Sequence, residues 1–150
     1  MNALKSILLA AVATAALSAC ATGGLRDAEK LDLYRTHAGD PVGSFNFFGR
    51  LNGWTPLGDS ALAVWTRPNE AFLLELSGPC QDLPFATAIG LTSSAGRVHE
   101  RFDRVLVRST GSMNIPCFIR TIRPLDVKAV RMSERELREA RTEEREAASD

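Results

Sequence analysis

Apolar residues are unevenly spread along this chain, and their spacing changes several times. Residues 7–17 form a nearly unbroken apolar run, interrupted only by Thr14. From Asp27 onward, Ala28, Leu31, Tyr34 and Ala38 recur close to the helical period and predict a helix with one buried face. Arg35 and His37 suit the negative end of its dipole, and Gly39 and Pro41 supply its stop. From Val42 the period shortens. Residues 44–48 and 50–55 read as strands carrying Phe45, Phe47, Phe48 and Trp54, followed by a turn cluster from Pro56 to Ser60. Residues 61–66 and 71–76, around Arg67-Pro68-Asn69-Glu70, predict a hairpin. Its two near-continuous apolar runs predict strands covered on both faces, which makes this hairpin the expected core.

Beyond it, Ser77-Gly78-Pro79-Cys80 ends the second strand. Asp82 is placed to cap a short helix over 83–89, with Pro84 in its first turn and Gly90 at its end. Residues 91–96 read as polar loop. Residues 97–108 and 115–123 read as strands joined by the segment 109–114, and 127–131 as one more short strand. Ser133 and Glu136 have capping-box spacing, so a helix is expected over 134–148. From Glu134 on, seven acids face four arginines, a net of −3, with Glu134 and Arg138 at i,i+4. Leu137 is nearly its only large apolar residue, which predicts a solvated, fraying helix. A partner-binding helix would need an apolar stripe that this segment lacks. The expected fold is α+β: mainly antiparallel sheet, with an N-terminal helix, a short internal helix and a charged C-terminal helix.

The first run has a different meaning. Lys5, the short apolar stretch and the small residues after it are the parts of a secretory signal peptide, and the run is shorter than the roughly 20 residues a retained membrane helix needs. Leu17-Ser18-Ala19-Cys20 resembles the bacterial lipobox. That resemblance implies a diacylated Cys20, cleavage before it and acylation of the new amino group; several acyl chains suffice for stable anchoring. Ala21 stands where such proteins often carry an Asp to stay in the inner membrane, which implies the outer membrane. The expected organisation is a signal peptide over 1–19, a lipidated tether over 20–27, one β-rich domain over 28–131 and a charged helical tail over 132–150.

Composition narrows the partners. About 130 residues from Cys20 on are enough for one domain with a real core. The formal net charge of zero gives no electrostatic case for nucleic acid. With Cys20 lipidated, Cys80 and Cys117 are left as an even pair in an oxidising compartment, and a disulfide is expected between them. The rivals are two free buried thiols or a metal site, the latter poorly served by two distant cysteines with no histidine nearby.

Candidate chemistry is sparse. His37 is explained by its helix end. His99, beside Glu100 and near Asp103, belongs to a solvent-facing strand edge more simply than to a metal or proton-transfer site. No nucleophile elbow, His-Glu-x-x-His motif, phosphate loop or dinucleotide fingerprint is present, so no catalytic residue, cofactor or metal is assigned. Arg97, His99, Arg101, Arg104 and Arg108 form a weak anion-binding candidate, diluted by the interleaved Glu100 and Asp103. The aromatic group of Phe45, Phe47, Phe48, Trp54, Trp65 and Phe72 is assigned to core packing before carbohydrate stacking.

Taken together, the lipobox, Trp54 with Gly58-Asp59, the Trp65 to Leu76 hairpin, Gly78-Pro79-Cys80, Pro116-Cys117 and Ile122-Arg123-Pro124-Leu125-Asp126 resemble a family of small proteobacterial lipoproteins known as a domain of unknown function. The resemblance spans roughly 30–128 and implies export and the disulfide, without an activity to transfer. The functional expectation is an outer-membrane-anchored periplasmic lipoprotein, a non-enzymatic binding or structural module with an envelope-protein or cell-wall partner. The alternative is a periplasmic inhibitor of a cell-wall lytic enzyme.

Overall fold

The structure, a computed structural model, describes residues 26–110 and 116–149. The signal peptide, the lipobox with Cys20, most of the tether and part of the 109–114 connection lie outside the described residues.

Helix α1 (Asp27–Thr36) is followed by strands β1 (Ser44–Asn46), β2 (Gly53–Pro56), β3 (Ala61–Arg67) and β4 (Glu70–Leu76). A 3-10 turn (Leu83–Phe85) leads to β5 (Ala88–Leu91), β6 (Arg97–His99), β7 (Arg104–Arg108) and β8 (Pro116–Leu125), and the long helix α2 (Val127–Ala148) closes the chain. An antiparallel, curled six-stranded sheet, a half-barrel, runs β2-β3-β4-β8-β7-β5; β1 and β6 form a small second sheet. The fold is α+β, as the sequence pattern predicts.

The β3–β4 hairpin is the centre of the sheet, and both its faces are covered. Leu62, Val64, Leu74 and Leu76 point into the larger core with Phe45, Val98, Val105 and Ile119. Ala61, Ala63 and Leu73 point the other way, against Leu31, Leu33 and Tyr34 of α1 and Val130 of α2. This explains the missing alternation: period-two apolarity survives only where one face is wet. Leu62, Leu73 and Leu74 are fully buried, and each such side chain contributes about 1.5–3 kcal/mol. The small sheet lids the larger core, with Phe45 opposite Val98 and its ring stacked on Phe72 at 4.4 Å. Cys80, just past β4, is bonded to Cys117 on β8, with Cα atoms 5.9 Å apart. Most of the predicted aromatic core packs as expected, but Phe48 is 78% exposed beyond the end of β1.

Several boundaries differ from the sequence pattern. The predicted helix over 83–89 is only the 3-10 turn, after which Ala88–Leu91 pairs with β7 as an edge strand. The predicted strand 97–108 breaks in two. Arg101 adopts a left-handed φ of 61°, and the buried Asp103 closes the turn by accepting the His99 N–H at 2.7 Å and the Thr92 hydroxyl at 2.6 Å. The strand predicted over 50–55 starts only at Gly53. In α1, Leu33 is buried and Ala28 exposed, so the buried face is rotated from the predicted one.

The largest correction concerns α2. Residues 127–131 are not a strand but its first turns. Asp126, not Ser133, is the N-cap: its carboxylate accepts the Ala129 N–H at 3.0 Å. The domain boundary drawn at 131/132 therefore falls inside a continuous helix. Val127 and Val130 bury its start, whereas its last turns are solvated as predicted.

Between α1 and β1 the chain crosses β8 closely. Gly39 donates its N–H to the Pro124 carbonyl at 2.8 Å, and a Cβ there would meet Pro124 Cγ at 3.2 Å, which favours glycine. Arg123 bonds the Gly39 carbonyl at 2.8 Å from the other side.

Candidate functional site

The arginine and histidine series singled out from the sequence does not converge. Arg97 lies on β6 and is engaged with Ser44 and Asn46 of β1, at 2.7 Å to each. His99 ends β6, and Arg101 occupies the turn after it. Arg104 and Arg108 share the outer face of β7, as strand parity predicts, with Arg104 4.9 Å above the Phe118 ring. Asp103, offered as a neighbour for His99 chemistry, is buried and holds backbone and hydroxyl groups. Among the described residues, no three His, Cys, Asp or Glu side chains stand where they could hold a metal ion.

A different set of residues does converge. Helices α1 and α2 run antiparallel across the helix-side face of the sheet and are cross-linked at three levels. Arg141 pairs with Glu29 at 2.9 Å, Tyr34 donates to Glu134 at 2.8 Å, and His37 Nε2 meets Ser133 Oγ at 2.9 Å. A fourth contact, Arg131 to the Pro68 carbonyl at 2.7 Å, ties α2 to the β3–β4 turn. Between α2, the start of α1 and the edge strand β2 lies a groove of about 870 Å³.

Its floor follows from the β2–β3 register. Gly53 lies opposite Trp65, and Thr55 opposite Ala63, on the face that the helices cover. Trp65 is half-buried and held edge-to-face against Tyr34, with centroids 6.4 Å apart at 88°. A Cβ on Gly53 would meet nothing within 4 Å, so the strand position opposite Trp65 is open. Asn52 and Thr55 add an amide and a hydroxyl along the edge, and Trp54, packed partly against the larger core, completes the lining.

The wall is basic. Arg131, Arg138 and Arg145 recur every seven residues, two helical turns apart, and with Arg141 they line the groove; Lys30 faces them from α1. Glu136, Glu139, Glu143 and Glu146 fall on the opposite, exposed side of α2. The near balance of charge in this helix thus hides a partial segregation, with Lys128 and Arg135 left outside the groove. Glu134 is the acid inside the groove, and its carboxylate accepts the Tyr34 hydroxyl. It does not pair with Arg138 as the i,i+4 spacing predicts; Arg138 Nε instead bonds the Glu134 carbonyl at 3.2 Å. Burial, then the hydrogen bond to Glu134, holds the Tyr34 phenol well above its ordinary range and keeps it neutral. The seven-residue arginine spacing could have revealed this wall in the sequence; net charge concealed it.

Such a site can hold an anion against guanidinium groups beside an aromatic surface. Neither the curated proteins nor the solved structures contain a match to this chain. One family model does match, over residues 3–141, a span that takes in every strand, α1 and most of α2, and the chain accordingly belongs to the family of unknown function DUF6491.

Proposed function

We propose that this protein is a non-enzymatic binding module of the cell envelope, anchored through a lipidated Cys20 at the outer membrane and facing the periplasm. Its binding surface is the groove between α1, α2 and β2, and its ligand is anionic. The observation that carries this reading is the distribution of charge on α2: Arg131, Arg138, Arg141 and Arg145 line the groove, Arg141 paired with Glu29, while Glu136, Glu139, Glu143 and Glu146 turn to solvent and Glu134 alone of the helix's described acids lines the groove. A helix placed only for solubility would intersperse both signs. The lipobox supports the anchoring, and the Cys80–Cys117 disulfide fits an oxidising compartment. Binding is favoured over catalysis because Glu134, the one carboxylate among the described groove residues, is engaged by Tyr34, and the turn carboxylate Asp103 is engaged by the His99 N–H and the Thr92 hydroxyl. Tethering also raises local concentration, so a weak binder works there.

Two measurements test it. Cells expressing the protein and its Cys20→Ser variant are fed labelled palmitate and fractionated. Wild type should carry label in the membrane, and the variant none; a labelled variant overturns the anchor. The mature protein in non-ionic detergent is then titrated with tripolyphosphate while tryptophan fluorescence is followed, since Trp65 stands on the groove floor. Saturable quenching that weakens with salt and is lost in Arg138→Glu/Arg145→Glu is expected. Absence of any such response overturns the groove as an anion site.

A further inference from the structure

Building on the reading of the groove as an anion site, we infer that its ligand is an acidic sugar, with the ring lying on Trp65 and its carboxylate or phosphate held by Arg138 and Arg145. A guanidinium row alone would accept any anion. What narrows the choice is the surface beside it.

A ring-shaped ligand needs a flat apolar platform and room above it. The Trp65 indole supplies the platform, and the edge-to-face contact with the fully buried Tyr34 fixes its orientation. Gly53 supplies the room, being the cross-strand neighbour of Trp65 without a side chain and with open space where one would stand. A sugar also brings several neutral hydroxyls, which need partners that both donate and accept. Asn52, exposed at the rim, is of that kind, and the Thr55 hydroxyl behind it is shared with the Tyr34 phenol. Apolar platform, neutral polar rim and cationic wall thus stand in one cavity of about 870 Å³, room for more than one sugar unit.

Competing occupants fit less well. A peptide adding to the edge of β2 would find a strand of four residues ending in Pro56, which has no N–H to give. Nucleic acid would need a basic surface longer than one helix face, and the chain has no net positive charge.

Acidic sugars have two sources in an envelope: carboxylate-bearing wall or capsular glycan, and phosphorylated glycolipid head groups. The test separates them. The mature full chain in non-ionic detergent is titrated by calorimetry with a tetra-galacturonate, a neutral tetra-galactoside of equal length, glucosamine 1-phosphate, inorganic phosphate and acetate. At least one acidic sugar should bind tenfold or more tighter than both the neutral sugar and the simple anion bearing the same group. A preference for the uronate assigns the glycan source, and one for the sugar phosphate the head group. Trp65→Ala should reduce that acidic sugar to the level of the simple anion, and Arg138→Gln/Arg145→Gln to that of the neutral sugar. Gly53→Val, which places a side chain opposite Trp65 where a Cβ meets nothing within 4 Å, serves the same purpose should Trp65→Ala unfold. If acidic sugars bind no tighter than simple anions, the sugar assignment is overturned while the anion site stands. If neither binds, both fall.

Discussion

The Tyr34 hydroxyl donates to Glu134 across 2.8 Å, joining residues one hundred positions apart and fixing α1 to α2 at the head of the groove. The phenol is fully buried and its ionisation is suppressed, first by burial and then by that bond. A raised acid pKa in the fold means that the unfolded chain loses its proton first, near pH 10. The stabilisation is therefore complete below about pH 10 and declines as pH rises above it, by up to about 1.4 kcal/mol per pH unit for one proton. Tyr34→Phe should cost about 1–2 kcal/mol at pH 8, where the hydrogen bond to a partly exposed carboxylate is lost. It should also flatten the alkaline decline, so that the two proteins converge near pH 11. Urea unfolding from pH 8 to 11 measures this; parallel curves would refute it.

Arg35 makes a further long-range polar contact of α1, directing Nε and Nη2 to one oxygen of Glu75 at 2.9 and 2.7 Å. Glu75 interrupts the apolar run of β4, and its side chain is only 12% exposed, against 44% for Arg35. The arginine's exposure screens the pair, so it is worth less than a fully buried one. Arg35→Ala should destabilise by about 1–2 kcal/mol, chiefly by leaving the carboxylate uncompensated. Arg35→Ala/Glu75→Leu should recover most of the loss. Thermal unfolding of both variants decides it, and a double variant no more stable than the single would count against this account.

The Cys80–Cys117 bond closes a separation of 37 residues and joins the end of β4 to β8, next to it in the sheet. In the chain-entropy model a loop of that length contributes about 3–4 kcal/mol. Cys80→Ala/Cys117→Ala should lower the melting temperature by about 10 °C or more. Non-reducing peptide mapping of exported protein should find the two cysteines joined. Two free thiols there would refute the pairing.

How much of this was legible in the sequence depends on the range of the interactions involved. The β3–β4 hairpin announced itself because burial on both faces removes the polar alternation, leaving a signal inside one short window. The disulfide followed from counting cysteines. Helix α2 was misread at its start because Val127 and Val130 are β-branched and Ser133 offers a plausible later cap, although Val127, Val130, Glu134 and Leu137 keep helical spacing from Asp126 onward. The break in residues 97–108 carried no glycine to mark it; Arg101 takes the left-handed turn, and the closing group is the side chain of Asp103. The groove was harder still. Arg131, Arg138 and Arg145 were visible as a spacing, but the pairing of Gly53 with Trp65 exists only through strand register, which no local pattern encodes.

That pairing yields a prediction in which stability and binding move in opposite directions. Glycine within a strand is unfavourable, because it loses more backbone freedom on folding and offers no side chain to its neighbour. Gly53 does not occupy the positive-φ region, and a Cβ there meets nothing within 4 Å, so neither backbone strain nor a clash protects it. Gly53→Val should therefore stabilise the fold by about 0.5–1 kcal/mol, through backbone entropy and strand preference. The same methyl groups would cover the open flank of Trp65 and narrow the floor beneath Arg138 and Arg145. Ligand affinity should fall at least tenfold while the urea midpoint rises. A residue kept for folding alone would show no such opposition. If Gly53→Val binds as wild type does, the floor of the groove is not a binding surface; if it binds less well and is also less stable, the loss belongs to folding and the argument for Gly53 fails.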